Sequence, residues 1–266
     1  MPAETAKIQA IYRYPVKGLS AEALPRVQLS VGATLPADRL YAIENGPSGF
    51  DPKTPAYLPK QRFLMLMQHE RLAALRTQFD DASHSLTVTA ENRAAARGDL
   101  RTAEGRAVIE QFFAGYCAEE LRGPPRILTA PAHSFSNMRP GHSFSDVAQK
   151  VISIINLASV AEVENAVGAP VDPLRFRANV YVSGWPAWHE FNLVGEEIAI
   201  GSARLKAVRR IKRCAATNVE PDTGIRNLNI PQTLMRTFGH ADCGIYAEVI
   251  GAGSIALGDA VRTIRV

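Results

Sequence analysis

The stretch Val151-Ile152-Ser153-Ile154-Ile155-Asn156-Leu157-Ala158-Ser159-Val160-Ala161-Glu162-Val163-Glu164-Asn165-Ala166-Val167-Gly168 decides the fold class. Its first five residues read as a buried strand. Asn156 can cap a short amphipathic helix over residues 157–167, and Gly168 ends it. This is the chain's only strand-then-helix unit with such clear punctuation. Downstream, further strands are expected at residues 177–183, 197–200, 204–208, 246–250 and 260–264. Asn229-Ile230-Pro231 opens one more helix, with a cap residue and an early proline, and Gly239 closes it. Many short strands with few helices describe an α+β, mainly β, barrel-like architecture and not a parallel doubly wound sheet. Neither G-x-G-x-x-G nor G-x-x-x-x-G-K-[ST] occurs, so nucleotide binding by those routes is not expected.

Upstream, Ile8, Ala10, Tyr12 and Tyr14 alternate along residues 7–14, as one face of a half-buried strand would. Strands are also expected at 27–30 and 38–44. Residues 72–79 and 86–89, joined by Asp80-Asp81-Ala82-Ser83, read as a hairpin. Residues 46–59 hold four prolines and two glycines and form a loop. A helix is expected over 106–121, with Val108, Ile109, Phe112, Phe113 and Tyr116 on its apolar face, stopped by Gly123-Pro124-Pro125. Residues 133–142 read as a loop and as the hinge between two lobes.

The 266 residues are 46% hydrophobic and 21% charged, which suits a globular chain with a substantial core. The longest apolar run is too short to span a bilayer, and residues 1–7 lack a signal-peptide core, so the expected location is the cytoplasm, with no membrane partner. The net charge is +4. The basic residues do not form one long run and aromatics are few, so nucleic acid is not an expected partner. Three cysteines, with no C-x-x-C pair, exclude a disulfide framework and a zinc or iron–sulfur site built from paired thiols.

The chemistry therefore turns on one thiol. Arg209-Arg210-Ile211-Lys212-Arg213-Cys214 is a cation-rich strand running into a cysteine. The following loop, Ala215 to Gly224, offers Thr, Asn, Asp and backbone N–H groups. Adjacent positive charge stabilises a thiolate, which is both nucleophile and metal ligand. From the residues alone, Cys214 reads equally as such a thiolate or as a small buried hydrophobe. Cys117, in a helical pattern, reads as core. Cys243, in His240-Ala241-Asp242-Cys243, reads as core in preference to a small metal site.

Six segments, in order along nearly the whole chain, resemble the MOSC-domain family in its amidoxime-reducing branch. They are Tyr14-Pro15-Val16-Lys17-Gly18, Asp38-Arg39, Phe144-Ser145-Asp146, Arg175-Phe176-Arg177-Ala178-Asn179-Val180, Arg213-Cys214 through Pro221-Asp222-Thr223-Gly224, and Gly253-Ser254-Ile255-Ala256-Leu257-Gly258-Asp259. The resemblance implies a smaller N-terminal β-barrel lobe over residues 1–130 and a β-barrel-like MOSC domain over 131–266. It implies a molybdenum–molybdopterin cofactor, with Cys214 as the metal ligand and the catalytic position. A soft thiolate suits such a metal. Lys17 and Arg39 match the positions that hold the terminal phosphate, although without the family they read as a turn lysine and an edge-strand charge. Arg177 and Asn179 match pterin contacts and would alternate on one strand face. Asp146 matches an acceptor for pterin N–H groups, and Arg175 would add a cation on that same face. Where the family often has serine after the lysine, this chain has Gly18.

The function this implies is reduction of N-hydroxylated substrates such as amidoximes or hydroxylamines. The chain shows no cysteine cluster of its own for electron transfer, so electrons are expected from a separate ferredoxin-like or flavoprotein partner. His133 or His142 could donate a proton, but a solvated loop histidine is the plainer reading. The alternative is a non-catalytic cofactor carrier, or a sulfur-relay protein in which Cys214 bears a persulfide. A third reading, a basic domain binding nucleic acid, would show strongly salt-dependent binding and no metal.

Overall fold

The computed structural model describes residues 5–91, 93–129 and 143–264. Seven strands close into a barrel. Around the ring they run Val180–Ser183, Ile152–Asn156, Asp242–Gly251, Ala203–Lys212, Glu197–Ile200, Ala260–Ile264 and Ala6–Arg13, which returns to Val180–Ser183. Only the pair Ile152–Asn156 and Val180–Ser183 is parallel. The helix Leu157–Val167 makes that crossover, as a parallel connection requires. Asn156 caps it by accepting from the Ala158 N–H, and Gly168 ends it at φ 74°. Inside the barrel, Ile8, Ile154, Val182, Ile198, Leu205 and Ile245 belong to one buried core.

Ala6–Arg13 comes from the start of the chain yet completes the barrel of the C-terminal half. Its side chains do not alternate as expected. A bulge between Ile8 and Ala10 shifts the register, so Ile11 is buried and Ala10 and Tyr12 are only half-buried. Three further register shifts, at Arg204/Leu205, Ala207/Arg209 and Arg210/Lys212, interrupt the long strand Ala203–Lys212. The last two turn its cationic end away from simple inside–outside alternation and toward the interlobe cleft.

The N-terminal lobe has a separate core, which includes Leu64, Leu72, Leu86, Val88, Ile109 and Phe113. The expected hairpin is part of a three-stranded sheet, Arg76–Asp80, Ser85–Ala90 and Arg93–Asp99. Its third strand is rich in alanine and arginine and gave no apolar period. The helix Ala103–Tyr116 packs here, capped by Thr102, and ends five residues earlier than expected. Ile109 and Phe113 are buried, whereas Val108 is 46% exposed. The expected strand at 38–44 begins only at Tyr41 and pairs with Pro125–Thr129, which the sequence reading missed because it starts on the second of two prolines.

The helix Ile230–Phe238 opens and closes where expected, but Asn229 does not cap it. The Ile230 N–H donates instead to Asn218 Oδ1 at 2.9 Å, which ties this helix to the loop after Cys214. Among the described residues, no helix is long and apolar enough to cross a membrane. Residues 133–142, expected to be a hinge loop and including His133 and His142, lie outside the described residues.

Candidate functional site

Lys17, Arg39, Asp146, Arg177, Asn179 and Cys214 all line one cavity of about 240 Å³ between the two lobes. Lys17 follows the first barrel strand, and its buried ammonium donates to the Phe144 carbonyl at 2.9 Å and to the Asp146 carboxylate. Burial pulls its pKa down, against the pull of Asp146. Burial likewise favours the neutral form of Asp146, but Lys17, Lys60 and Arg39 outweigh it and hold the carboxyl at about 2. Asp146 is therefore an ion-pair partner within the protein in addition to any acceptor role toward a ligand.

Arg39 and Arg177 are not strand residues, contrary to the sequence reading. Both have left-handed backbones, each at φ 51°. Arg177 closes the 3₁₀ turn Pro173–Phe176, so the strand begins only at Val180. The two arginines nonetheless meet. An Arg39 guanidinium N–H donates to the Arg177 carbonyl at 2.9 Å, while Asp38 pairs with the other end of Arg39. Both guanidinium groups pack on the ring of Tyr14. Among the described residues, the Arg177 guanidinium has no hydrogen-bond acceptor and no ion pair, and burial lowers its pKa. An arginine stays charged regardless, so Arg177 offers a cation committed to nothing but an aromatic face.

Asn179 is buried, and its amide is largely engaged. Oδ1 accepts from Ser153 N at 3.1 Å and from Ser153 Oγ at 2.8 Å, and Nδ2 donates to Tyr12 O at 3.2 Å. One amide hydrogen is left for the cavity. Arg175 is a clamp rather than a free cation on a strand face. It donates to Asn218 O at 3.1 Å and to Asn227 Oδ1 at 2.7 Å, holding the loop that follows Cys214.

Cys214 stands at the end of the bulged strand, half-buried, and the 3₁₀ turn Ala215–Asn218 follows it. Thr217 N and Oγ1 both donate to its carbonyl, at 3.0 and 2.9 Å, fixing the turn. Cys117 and Cys243 are fully buried, as core readings required. Sequence reasoning missed Lys60. It lies 4.0 Å from Asp146, and its raised pKa reflects Asp146 and the adjacent Cys214 thiol overcoming its burial. No local pattern marks it, since it follows the proline-rich loop. Arg209, Lys212 and Arg213 also line the cavity, and their run beside Cys214 was legible.

Eight lysine and arginine side chains thus face two aspartates across this space. That surplus makes a site for a polyanion. Among the described residues, no cluster of three or more His, Cys, Asp or Glu side chains is placed to hold a bare metal ion. Among the described residues, a metal at Cys214 would therefore find few ligands from the protein. A group with a soft metal in an organic chelate and a phosphate tail fits both features.

The MOSC domain model matches residues 132–262, and that of the MOSC N-terminal beta barrel domain matches residues 5–120. The chain belongs to the MOSC-domain family. This MOSC chain is 29% identical over 122 residues to mitochondrial amidoxime reducing component 2 of Bos taurus, a match covering 41% of this chain and 36% of that protein. It is 28% identical over 120 residues to mitochondrial amidoxime-reducing component 1 of Homo sapiens, covering 41% and 35% respectively. The matched stretch spans about a third of those relatives' length. Among solved structures, the YUAD protein from Bacillus subtilis aligns over 98% of this chain and 97% of its own, with 14% identity and a TM-score of 0.44.

Proposed function

We propose that the interlobe cavity holds a molybdenum–molybdopterin cofactor, with Cys214 as the protein's one ligand to the metal. We propose further that the loaded protein reduces N-hydroxylated compounds such as amidoximes and hydroxylamines. The observation carrying this reading is a single half-buried thiol set among eight cationic side chains, with no cluster of three or more His, Cys, Asp or Glu side chains placed to hold a metal ion among the described residues. The family's association with the molybdenum cofactor supports it, as do the names of the relatives.

Lys17 and Arg39 would hold the phosphate, since charge-assisted bonds from lysine and a forked arginine suit its oxygens. Arg177 and the remaining amide hydrogen of Asn179 would meet the pterin, and Asp146 would accept from its N–H groups. Gly18 carries no hydroxyl for the phosphate. Its φ of 84° and the Leu64 carbonyl 3.0 Å from any added Cβ disfavour serine there. The bound group supplies two-electron redox chemistry at a soft metal. Reducing an amidoxime breaks its N–O bond, takes up two electrons and two protons, and releases water. The electrons come from a separate ferredoxin-like or flavoprotein carrier. Around the reacting atoms, Lys60 and Arg213 keep positive charge beside Cys214.

The test is the metal and pterin content of wild type and Cys214→Ala, both purified from a host that makes the cofactor. Near-stoichiometric molybdenum in wild type and its loss in the variant are expected. If neither protein holds molybdenum or pterin after reconstitution, the reading fails.

A further inference from the structure

The proline-rich loop that leaves the strand Tyr41–Asn45 returns through the 3₁₀ turn Lys60–Arg62. Its two ends are adjacent and fixed. Phe63 bridges to Glu44, the Leu64 N–H donates to the Ile43 carbonyl at 2.8 Å, and Phe63 and Glu44 are buried. Between those ends, residues 51–57 are all exposed. The body is tied down through side chains. The Tyr57 hydroxyl donates to the Asp146 carbonyl at 3.1 Å, and the Phe50 ring lies 5.0 Å from that of Phe144. Leu58 packs half-buried with Ala42, Phe63 and Phe144. A compact loop of this kind, exposed over most of its length, opens while its base stays folded. Its four prolines limit the freedom gained by opening and so favour the docked state.

The strap ends on Lys60, which faces the interlobe cavity. Its ammonium lies beside the Cys214 thiol on one side and 4.0 Å from the Asp146 carboxylate on the other. Lys17, by contrast, is buried and locked to the Phe144 carbonyl and Asp146. Lys60 is therefore a cation of the site carried on a segment that can move. We propose that this strap delivers Lys60 to an anionic group bound at Cys214, and that Tyr57 is the positioning residue that latches it. The proposal rests on the cofactor reading, in which that group is the metal end of the cofactor, and it assigns Lys60 as the contact there. Binding and docking are then coupled. An anion at Cys214 gives the docked strap an attachment that the open strap lacks, so the anion closes the strap and the closed strap retains the anion.

Alkylation of Cys214 in the cofactor-free chain reads the delivered charge without any metal. Iodoacetate and iodoacetamide are close in size and both react with the thiolate. The ratio of their rates at Cys214 thus cancels the ionisation of the thiol and reports the charge around it. Peptide mass spectrometry gives that ratio. Lys60→Met should lower it about fivefold, and Lys60→Arg should keep it within about twofold of wild type. Tyr57→Phe, which removes the latch and no charge, should lower it about twofold. Lys60→Gln replaces Lys60→Met if a thermal melt shows the latter misfolded. In cofactor-loaded protein, Lys60→Met should lose molybdenum on dialysis about fivefold faster than wild type. An unchanged ratio in Lys60→Met overturns the proposal, and an unchanged ratio in folded Tyr57→Phe overturns the latch. A lowered ratio with wild-type molybdenum release overturns Lys60 as the cofactor's contact. If the ratio falls as expected but wild type holds no molybdenum, the strap stands and the cofactor reading falls.

Discussion

The guanidinium of Arg177 lies 4.2 Å from the ring centre of Tyr14, and that of Arg39 lies 4.4 Å from the same ring. Tyr14 is buried, and its N–H donates to Asp38 Oδ1 at 2.8 Å, while Asp38 Oδ2 pairs with Arg39. One aromatic ring therefore holds two like charges, and one carboxylate fixes Arg39, before any anion arrives. The phenol oxygen lies 3.4 Å from the Ala178 carbonyl and hydrogen-bonds with the Tyr181 side chain.

Tyr14→Leu should weaken anion binding about tenfold, because each cation–π contact is worth roughly 0.5–2 kcal/mol. Tyr14→Phe, which keeps the face, should bind like wild type. Titration calorimetry with inorganic pyrophosphate, a stand-in for a phosphate ester, reads the difference. Equal affinity of the Leu and Phe variants would show that the ring is only core.

How legible this site was depends on the kind of signal each residue leaves. The six expected residues line one cavity because short motifs in a fixed order carried them, and that order survives folding. Periodicity found the barrel strands and both C-terminal helices with little error. It failed where local geometry breaks the period. The bulge at Ile8/Ala10 exchanges the faces of the first strand, and the left-handed backbones of Arg39 and Arg177 take both out of the strands assigned to them. Lys60 and Arg226 left no trace, since their partners are distant in sequence and neither sits in a repeating pattern. The joining of Ala6–Arg13 to strands more than 160 residues away is a long-range closure of the same sort.

Cysteine reactivity separates the three thiols. Burial pushes Cys117 up to about 11 and Cys243 up to about 12, and neither is exposed. Cys214 is partly open to the cavity. Iodoacetamide at pH 8 on the native, cofactor-free chain should therefore give one adduct, at Cys214, by peptide mass spectrometry. Denaturation before alkylation should give three. Labelling of Cys243 in the native chain would contradict the assignment of that residue to the core.

Arg226 fastens the Cys214 turn to the N-terminal lobe. Its guanidinium donates to Ala215 O at 2.8 Å, Met67 O at 3.2 Å, Leu66 O at 3.3 Å and Glu70 Oε2 at 3.0 Å. The neighbouring Gly224 is needed for the same approach, since a Cβ there would come within 2.8 Å of Glu70 O. Arg226→Ala should cost about 0.5–1.5 kcal/mol in urea unfolding, because it removes a fork of hydrogen bonds from a partly solvated site. It should also retain less molybdenum through dialysis. Arg226→Lys should recover only part of both, because a single ammonium cannot reproduce the fork. Wild-type stability in the alanine variant would remove the clamp from the account.

Glu190 sets a pH dependence of its own. It is fully buried, Oε2 accepts from Ser159 Oγ at 2.8 Å, and Oε1 has no partner among the described residues. Burial raises its pKa above the ordinary 4.5. Below 4.5 the folded and unfolded chains both carry the proton, and the group costs nothing. As pH rises past 4.5 the unfolded chain ionises first while the native chain keeps its proton, so this group's contribution to stability falls until the folded pKa is reached. Glu190→Gln is neutral throughout and can still accept from Ser159. The variant should therefore match wild type near pH 4 and exceed it increasingly toward neutrality, as thermal melts across that range would show. A difference between the two melting curves that stays constant with pH would mean that Glu190 titrates alike in the folded and unfolded chains, and would remove this pH dependence.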